Sequence, residues 1–191
     1  MNDRKLFVLV EGGDDERFFE SVARPMFEKA YDIVQFWQYS QKKKAKVNNF
    51  LNSIRAMQAK GAVDLVIVAD LDESPCVTDR KERLQNSFRS LSAGIGGSPQ
   101  FRSSARILIV CREIESWYLA GLSDEECKRI GLTSPVDSTN YIAKEQFLNL
   151  MPNRFAAKIE FMLEILKVFD HETARKRNSS FGYFMRNYGM V

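Results

Sequence analysis

The sequence predicts an α/β fold, with about four parallel strands flanked by helices and followed by a helical C-terminal extension. Three observations predict it. Short apolar runs rich in β-branched or aromatic residues recur at Leu6–Val10, Ile33–Tyr39, Val63–Ala69 and Arg106–Cys111. A stretch of helical periodicity lies between each pair of successive runs, which implies right-handed crossovers and parallel strands. Beyond Gly121 the pattern is helical only.

The first run, Leu6 to Val10, suits a strand buried on both faces. It ends at Glu11, followed by Gly12, Gly13, Asp14, Asp15 and Glu16. The two glycines allow a tight turn and leave space beside Glu11. Asp14 is then expected to cap a helix with Phe18, Phe19, Val22, Met26 and Phe27 on one face. Capping and the helix dipole account for Asp15 and Glu16. They do not account for Glu11, which stands at a strand's carboxyl end, where open α/β sheets bind ligands.

Ile33 to Tyr39 reads as the second strand. Lys42, Lys43, Lys44 and Lys46 follow and lead into a helix with Val47, Phe50, Leu51, Ile54 and Met57 on its face, ended by Gly61. These lysines suit contacts to a phosphate backbone, and they equally suit a solvated charge run before a helix.

Val63 to Ala69, around Asp64, is the third strand and ends in Asp70-Leu71-Asp72-Glu73. Residues at i and i+2 of an extended segment point the same way, so Asp70 and Asp72 are expected to converge. Three carboxylates from two strand ends resist sharing a site unless a cation neutralises them. A hard divalent ion such as Mg²⁺ is held by one or two carboxylates plus substrate phosphates.

A charged helix is expected from Thr78 to Leu91, with Leu84, Phe88 and Leu91 buried and Arg80, Lys81, Arg83 and Arg89 facing solvent. Ser92 to Ser104 is a loop with three glycines and no following Gly-Lys-Ser/Thr, which excludes a Walker loop and leaves a plain connection or a flap. The fourth strand, Arg106 to Cys111, runs into Arg112-Glu113-Ile114-Glu115-Ser116-Trp117. On a helix Glu113 and Glu115 would lie about 200° apart, so one of them at most would face a metal. Acids in a first helical turn also serve as caps.

Helices follow at Asp124–Ile130, Ile142–Leu150, Arg154–Phe169 and Glu172–Arg177, punctuated by Pro135 and Pro152. The stripe Ile159, Met162, Leu163, Leu166 and Phe169 reads as core. Arg175, Lys176, Arg177 and Arg186 interleave with Phe181, Tyr183 and Phe184. That mixture suits single-stranded nucleic acid, or a last helix docking by its aromatics. The expected organisation is an α/β core over 1–121 with a helical extension over 122–191, compact as one domain.

The 191 residues suffice for a sizeable core, and a net charge of +3 is too small to mark a nucleic-acid binder by itself. Cys76, Cys111 and Cys127 have no metal or redox spacing and suggest reduced thiols. The single histidine, His171, excludes histidine-rich zinc sites and is expected to be structural. Chemistry therefore falls to carboxylates, a metal, lysine or arginine. No apolar run approaches a membrane span and no secretory segment opens the sequence, so a cytoplasmic protein is expected.

A Glu-Gly turn after a first strand and Asp-x-Asp after a later one resemble the Toprim domain of topoisomerases, primases, recombination proteins and overcoming-lysogenization-defect nucleases. The matching residues are Glu11 with Gly12 in VEGGDD, and Asp70 with Asp72 in VADLDES. The segments REIESWYLAG (Arg112–Gly121) and NSSFGYFMRN (Asn178–Asn187) are similar to those of small stand-alone Toprim-like bacterial proteins, whose relatives are often encoded beside ATPases in phage-defence or mobile-element settings. The resemblance implies a Toprim-like, Rossmann-like sheet. It implies Mg²⁺ or Mn²⁺ held by Asp70 and Asp72, with Glu11 as general acid/base or ligand. Glu115 would be a further ligand, and Gly12, Asp15 and Glu113 are secondary candidates. The expected activity is metal-dependent phosphodiester cleavage of nucleic acid, with a possible ATPase partner. The alternatives are a metal-binding, non-cleaving effector that docks a partner protein, and phosphoryl transfer on a nucleotide.

Overall fold

The computed structural model describes residues 3–61, 63–92, 105–132 and 137–188. The expected loop beyond Ser92, the side chains of Arg89 and Leu91, and Pro135 lie outside the described residues. Four strands, β1 (Lys5–Val10), β2 (Ile33–Gln38), β3 (Val63–Asp70) and β4 (Ala105–Val110), form an all-parallel sheet in the order β2-β1-β3-β4. In register, Leu9 of β1 lies between Trp37 of β2 and Ile67 of β3. Inner strands of a parallel sheet have both faces covered, and accordingly Val8, Leu9, Val10, Ile67, Val68 and Ala69 are all buried. Edge strand β2 leaves Gln35 exposed, and a guanidinium N–H of Arg24 donates to the Val34 carbonyl at 3.0 Å.

By contact density the described residues divide into two compact units, 3–69 with 74–109, and 70–73 with 110–188. In the first unit β1 is followed by helix α1 (Gly13–Phe18), one π-helical turn (Phe19–Ala23) and α2 (Arg24–Phe27). Pro25, near the start of α2, has no N–H to give the preceding turn. The wider turn closes instead through Arg24 N–H and the Phe19 carbonyl. Phe18, Phe19, Val22 and Phe27 are buried as expected, while Met26 is half-buried.

The cap differs from expectation. Gly12 is the N-cap residue and its N–H donates to Asp15 Oδ2 at 3.0 Å, whereas Asp14 pairs with Arg17. An acid three residues into the turn reaches back to the N-cap amide, which the residue beside it cannot do.

Helix α3 (Lys44–Gln58) buries Val47, Leu51 and Ile54, and its Phe50 stacks on Trp37 at 4.3 Å. Helix α4 (Val77–Ser92) buries Leu84 and Phe88.

The second unit is helical: α5 (Glu115–Ala120), α6 (Asp124–Ile130), α7 (Lys144–Leu150), α8 (Lys158–Leu166), α9 (His171–Arg177) and α10 (Ser179–Asn187). Ser123 Oγ caps α6, and Gly131 ends it at φ 94°, the left-handed turn that glycine adopts without a steric cost. Trp117 packs edge-on against Phe181 with centroids 5.0 Å apart, and Phe147 lies 5.0 Å from Phe161. The stripe expected to be core on α8 divides. Phe161, Met162 and Ile165 are buried, while Ile159 and Leu163 are 44% and 45% exposed. Phe161, outside the expected stripe, joins the aromatic cluster and turns the helix by about one residue's 100°.

Candidate functional site

Glu11 directly follows β1 and is half-buried in the first unit. Its Oε1 accepts from Arg80 Nη2 at 2.9 Å and from the Tyr39 hydroxyl at 3.1 Å, while its carbonyl accepts from Ser40 Oγ at 2.5 Å. The carboxylate is thus held by a guanidinium and a phenol, and its backbone by a hydroxyl. Burial, followed by the adjacent Glu11 charge, holds the Tyr39 hydroxyl far above the usual tyrosine range, so it remains a neutral donor. Arg80 was expected to face solvent. Nothing in its spacing separates it from Lys81 or Arg83, and only the seating of α4 selects it.

Asp15 is 4% exposed and spends one oxygen on the Gly12 cap, so helix capping accounts for that oxygen. Lys42, Lys43, Lys44 and Lys46 are all exposed. Lys43 is the N-cap of α3, no side chain caps that helix, and its first turn holds no acid.

In the second unit, Asp70 is the last residue of β3 and is half-buried, while Asp72 is exposed. Asp72 does not continue the strand. Its φ is 49°, and Arg112 after β4 has φ 61°, both left-handed. Side-chain alternation therefore does not bring Asp70 and Asp72 together. The two strand ends are instead tied through backbone: Leu71 N–H donates to the Val110 carbonyl at 2.9 Å, and Asp72 N–H to the Arg112 carbonyl at 3.2 Å. Left-handed backbone in a residue with a side chain costs about 1–2 kcal/mol, and such conformations gather at functional sites.

Glu113 and Glu115 do not share a helix, because α5 begins at Glu115. The angular argument that separated them falls with it. The half-buried Glu113 accepts from Lys144 N–H at the start of α7. Glu115 is 4% exposed, and its Oε1 accepts from Lys158 Nζ at 2.5 Å. Burial raises the Glu113 pKa above the usual carboxylate range. The Lys144 N–H opposes that rise, and the charges of Glu115, Glu145 and Asp72 add to it. Asp72, Glu113 and Glu115 thus share one electrostatic neighbourhood.

Among the described residues no group of three or more His, Cys, Asp or Glu side chains is arranged to hold a metal ion. A preformed all-protein cage does not fit. Hard oxygen donors suit the other mode of Mg²⁺, one or two carboxylates completed by substrate phosphates and water, for which Asp72 and Glu113 would be the donors. His171 opens α9 and its ring packs edge-on against Phe169 at 5.5 Å. The three cysteines are free thiols. Among the described residues no helix is long and apolar enough to cross a membrane. No protein-family model, curated protein or solved structure matches this chain, and the likeness to Toprim domains rests on the motifs quoted above.

Proposed function

We propose that this chain is a magnesium-dependent enzyme of the Toprim type that cleaves phosphodiester bonds in nucleic acid. One observation carries the reading: acids follow the carboxyl ends of three strands of a parallel sheet, Glu11 after β1, Asp70 and Asp72 at β3, Glu113 and Glu115 after β4. Those ends are where α/β sheets bind ligands.

Asp72 and Glu113 would hold Mg²⁺, with Asp70 and Glu115 beside them. The bound ion supplies Lewis-acid stabilisation and lowers the pKa of coordinated water. Lys158 limits the negative charge of the acid group by pairing with Glu115. Glu11, anchored within the first unit by Arg80 and Tyr39, would serve as a general acid/base, as its motif implies. Lys42, Lys43, Lys44 and Lys46 contact the phosphate backbone and steer the polyanion.

A second reading, a non-cleaving effector that docks a partner such as an ATPase, is favoured by the exposed Ile159 and Leu163 and by the engagement of Glu11 and Glu115 in ion pairs. Nucleic-acid binding weakens steeply with salt, and apolar docking does not.

The test is cleavage of plasmid DNA, single-stranded DNA and structured RNA with Mg²⁺ or Mn²⁺, by wild type beside Glu11→Gln and Asp70→Asn, with folding of each verified. Cleavage by wild type alone supports the nuclease and its site. Equal cleavage by all three places the activity elsewhere. No cleavage by folded wild type favours the effector.

A further inference from the structure

We infer that Asn178 and Ser180 are positioning residues for the acid turn Arg112–Glu115, acting through the backbone of Cys111. This inference rests on the reading that the turn takes part in binding Mg²⁺. Cys111 directly follows β4 and directly precedes Arg112, the residue held at φ 61°. Both of its peptide groups are held by hydroxyls from elsewhere: its N–H donates to Ser180 Oγ at 2.9 Å, and its carbonyl accepts from Ser116 Oγ at 3.0 Å.

Asn178 governs both hydroxyls. Its Oδ1 accepts from Ser180 Oγ at 2.7 Å, and its Nδ2 donates to Ser116 Oγ at 3.2 Å and to Thr139 Oγ1 at 3.1 Å. The Ser180 proton is therefore committed to Asn178. Its two lone pairs remain for Cys111 N–H and for Trp117 Nε1, which donates at 2.8 Å. The Ser116 hydroxyl accepts from Asn178 and so points its own proton at the Cys111 carbonyl. Asn178, Ser116 and Thr139 are fully buried and Ser180 is 6% exposed, so no water competes for these bonds.

Asn178 also accepts from Ser180 N–H and Phe181 N–H, as the N-cap of α10. A cap alone would not require two hydroxyls that end on opposite sides of one strand-end residue. A non-glycine residue in left-handed backbone persists where its surroundings over-determine it, and this network supplies the constraint on the chain just ahead of it. Partners that orient a ligand set are felt in metal affinity as well as in stability.

The chain has two tryptophans, so Trp37→Phe leaves Trp117, inside the network, as the sole indole reporter. In that background Mg²⁺ is titrated against Trp117 emission and by calorimetry, in the parent and with Glu113→Gln, Asn178→Asp or Ser180→Ala added. Asn178→Asp keeps the acceptor toward Ser180 and the α10 amides but exchanges the Nδ2 donor for an acceptor. The Ser116 proton must then turn to the new carboxylate and release the Cys111 carbonyl. The expected result is saturable binding in the parent that Glu113→Gln abolishes, and that Asn178→Asp and Ser180→Ala weaken by about 10-fold or more. If Ser180→Ala does not fold, Ser116→Ala removes the carbonyl tether alone and is expected to weaken binding in the same direction. Parent-like affinity in these variants, whatever the fall in melting temperature, overturns the positioning role alone and leaves the metal reading standing. A parent with no Mg²⁺ response by either method overturns the metal reading and this inference with it.

Discussion

Arg80 reaches Glu11 from 69 residues along the chain, with Nη2 at 2.9 Å from Oε1. The two side chains are 20% and 24% exposed, so the pair is screened less than a surface pair and is not fully desolvated. A double-mutant cycle of Glu11→Gln and Arg80→Gln, read from urea unfolding, should give a coupling of about 1 kcal/mol. A coupling of zero within error would show that the pair does not form in solution.

Lys158 and Glu115 form a more deeply buried pair, with side chains 19% and 6% exposed. Replacing Lys158 by Met leaves the carboxylate in the interior without its ammonium, a change that costs about 3–5 kcal/mol. Adding Glu115→Gln to Lys158→Met should recover most of that loss in denaturant midpoint. A double variant as unstable as Lys158→Met alone would mean that lost packing of the lysine stem, and not charge, sets the cost.

Tyr31 donates its hydroxyl to Asp64 Oδ2 at 2.7 Å, and burial, followed by the Asp64 hydrogen bond and charge, pushes its pKa up to about 12. The folded state therefore holds this proton more tightly than the unfolded chain, whose tyrosines titrate near pH ~10. The stabilisation is complete below the unfolded value and is lost as pH rises through the folded one. Unfolding free energies of wild type and Tyr31→Phe should differ by a constant amount below pH ~10 and converge above it. A difference that stays flat to the alkaline limit would refute the assignment.

Gly121 has no steric room for a side chain. A Cβ there would stand 2.3 Å from Phe169 Cδ2 and Cε2, and the φ of −81° excludes any backbone reason for the glycine. Gly121→Ala should lower stability by about 1–3 kcal/mol, as over-packing does. Phe169→Leu in the same chain should return part of it. Calorimetric melting of the wild type and the two variants decides the matter, and an unchanged melting temperature for Gly121→Ala would contradict the packing.

The strands were legible because each is short, apolar and buried on both faces or one, a pattern carried by local residue type. The helix Asp124–Ile130 was legible to the residue, since Ser123 caps it and Gly131 ends it. Acids at three strand ends were legible for the same reason, as each directly adjoins its strand. The extended course through Asp72 was misjudged because alternation assumes that the strand continues, and the backbone turns left-handed there. Ile159 and Leu163 were misjudged because a helical stripe is wide enough to be buried in more than one rotation.

By itself, then, the amino-acid sequence determined the parallel α/β sheet, the helices that follow it and the carboxylates at its strand ends, since these depend on patterns a few residues long. Tertiary structure alone decided what those carboxylates meet: Arg80 on Glu11, Lys158 on Glu115, and the Asn178–Ser180 network on the turn between them in sequence. These partners lie 43 to 69 residues away along the chain, and which face of a helix reaches them is set by packing that no local pattern encodes.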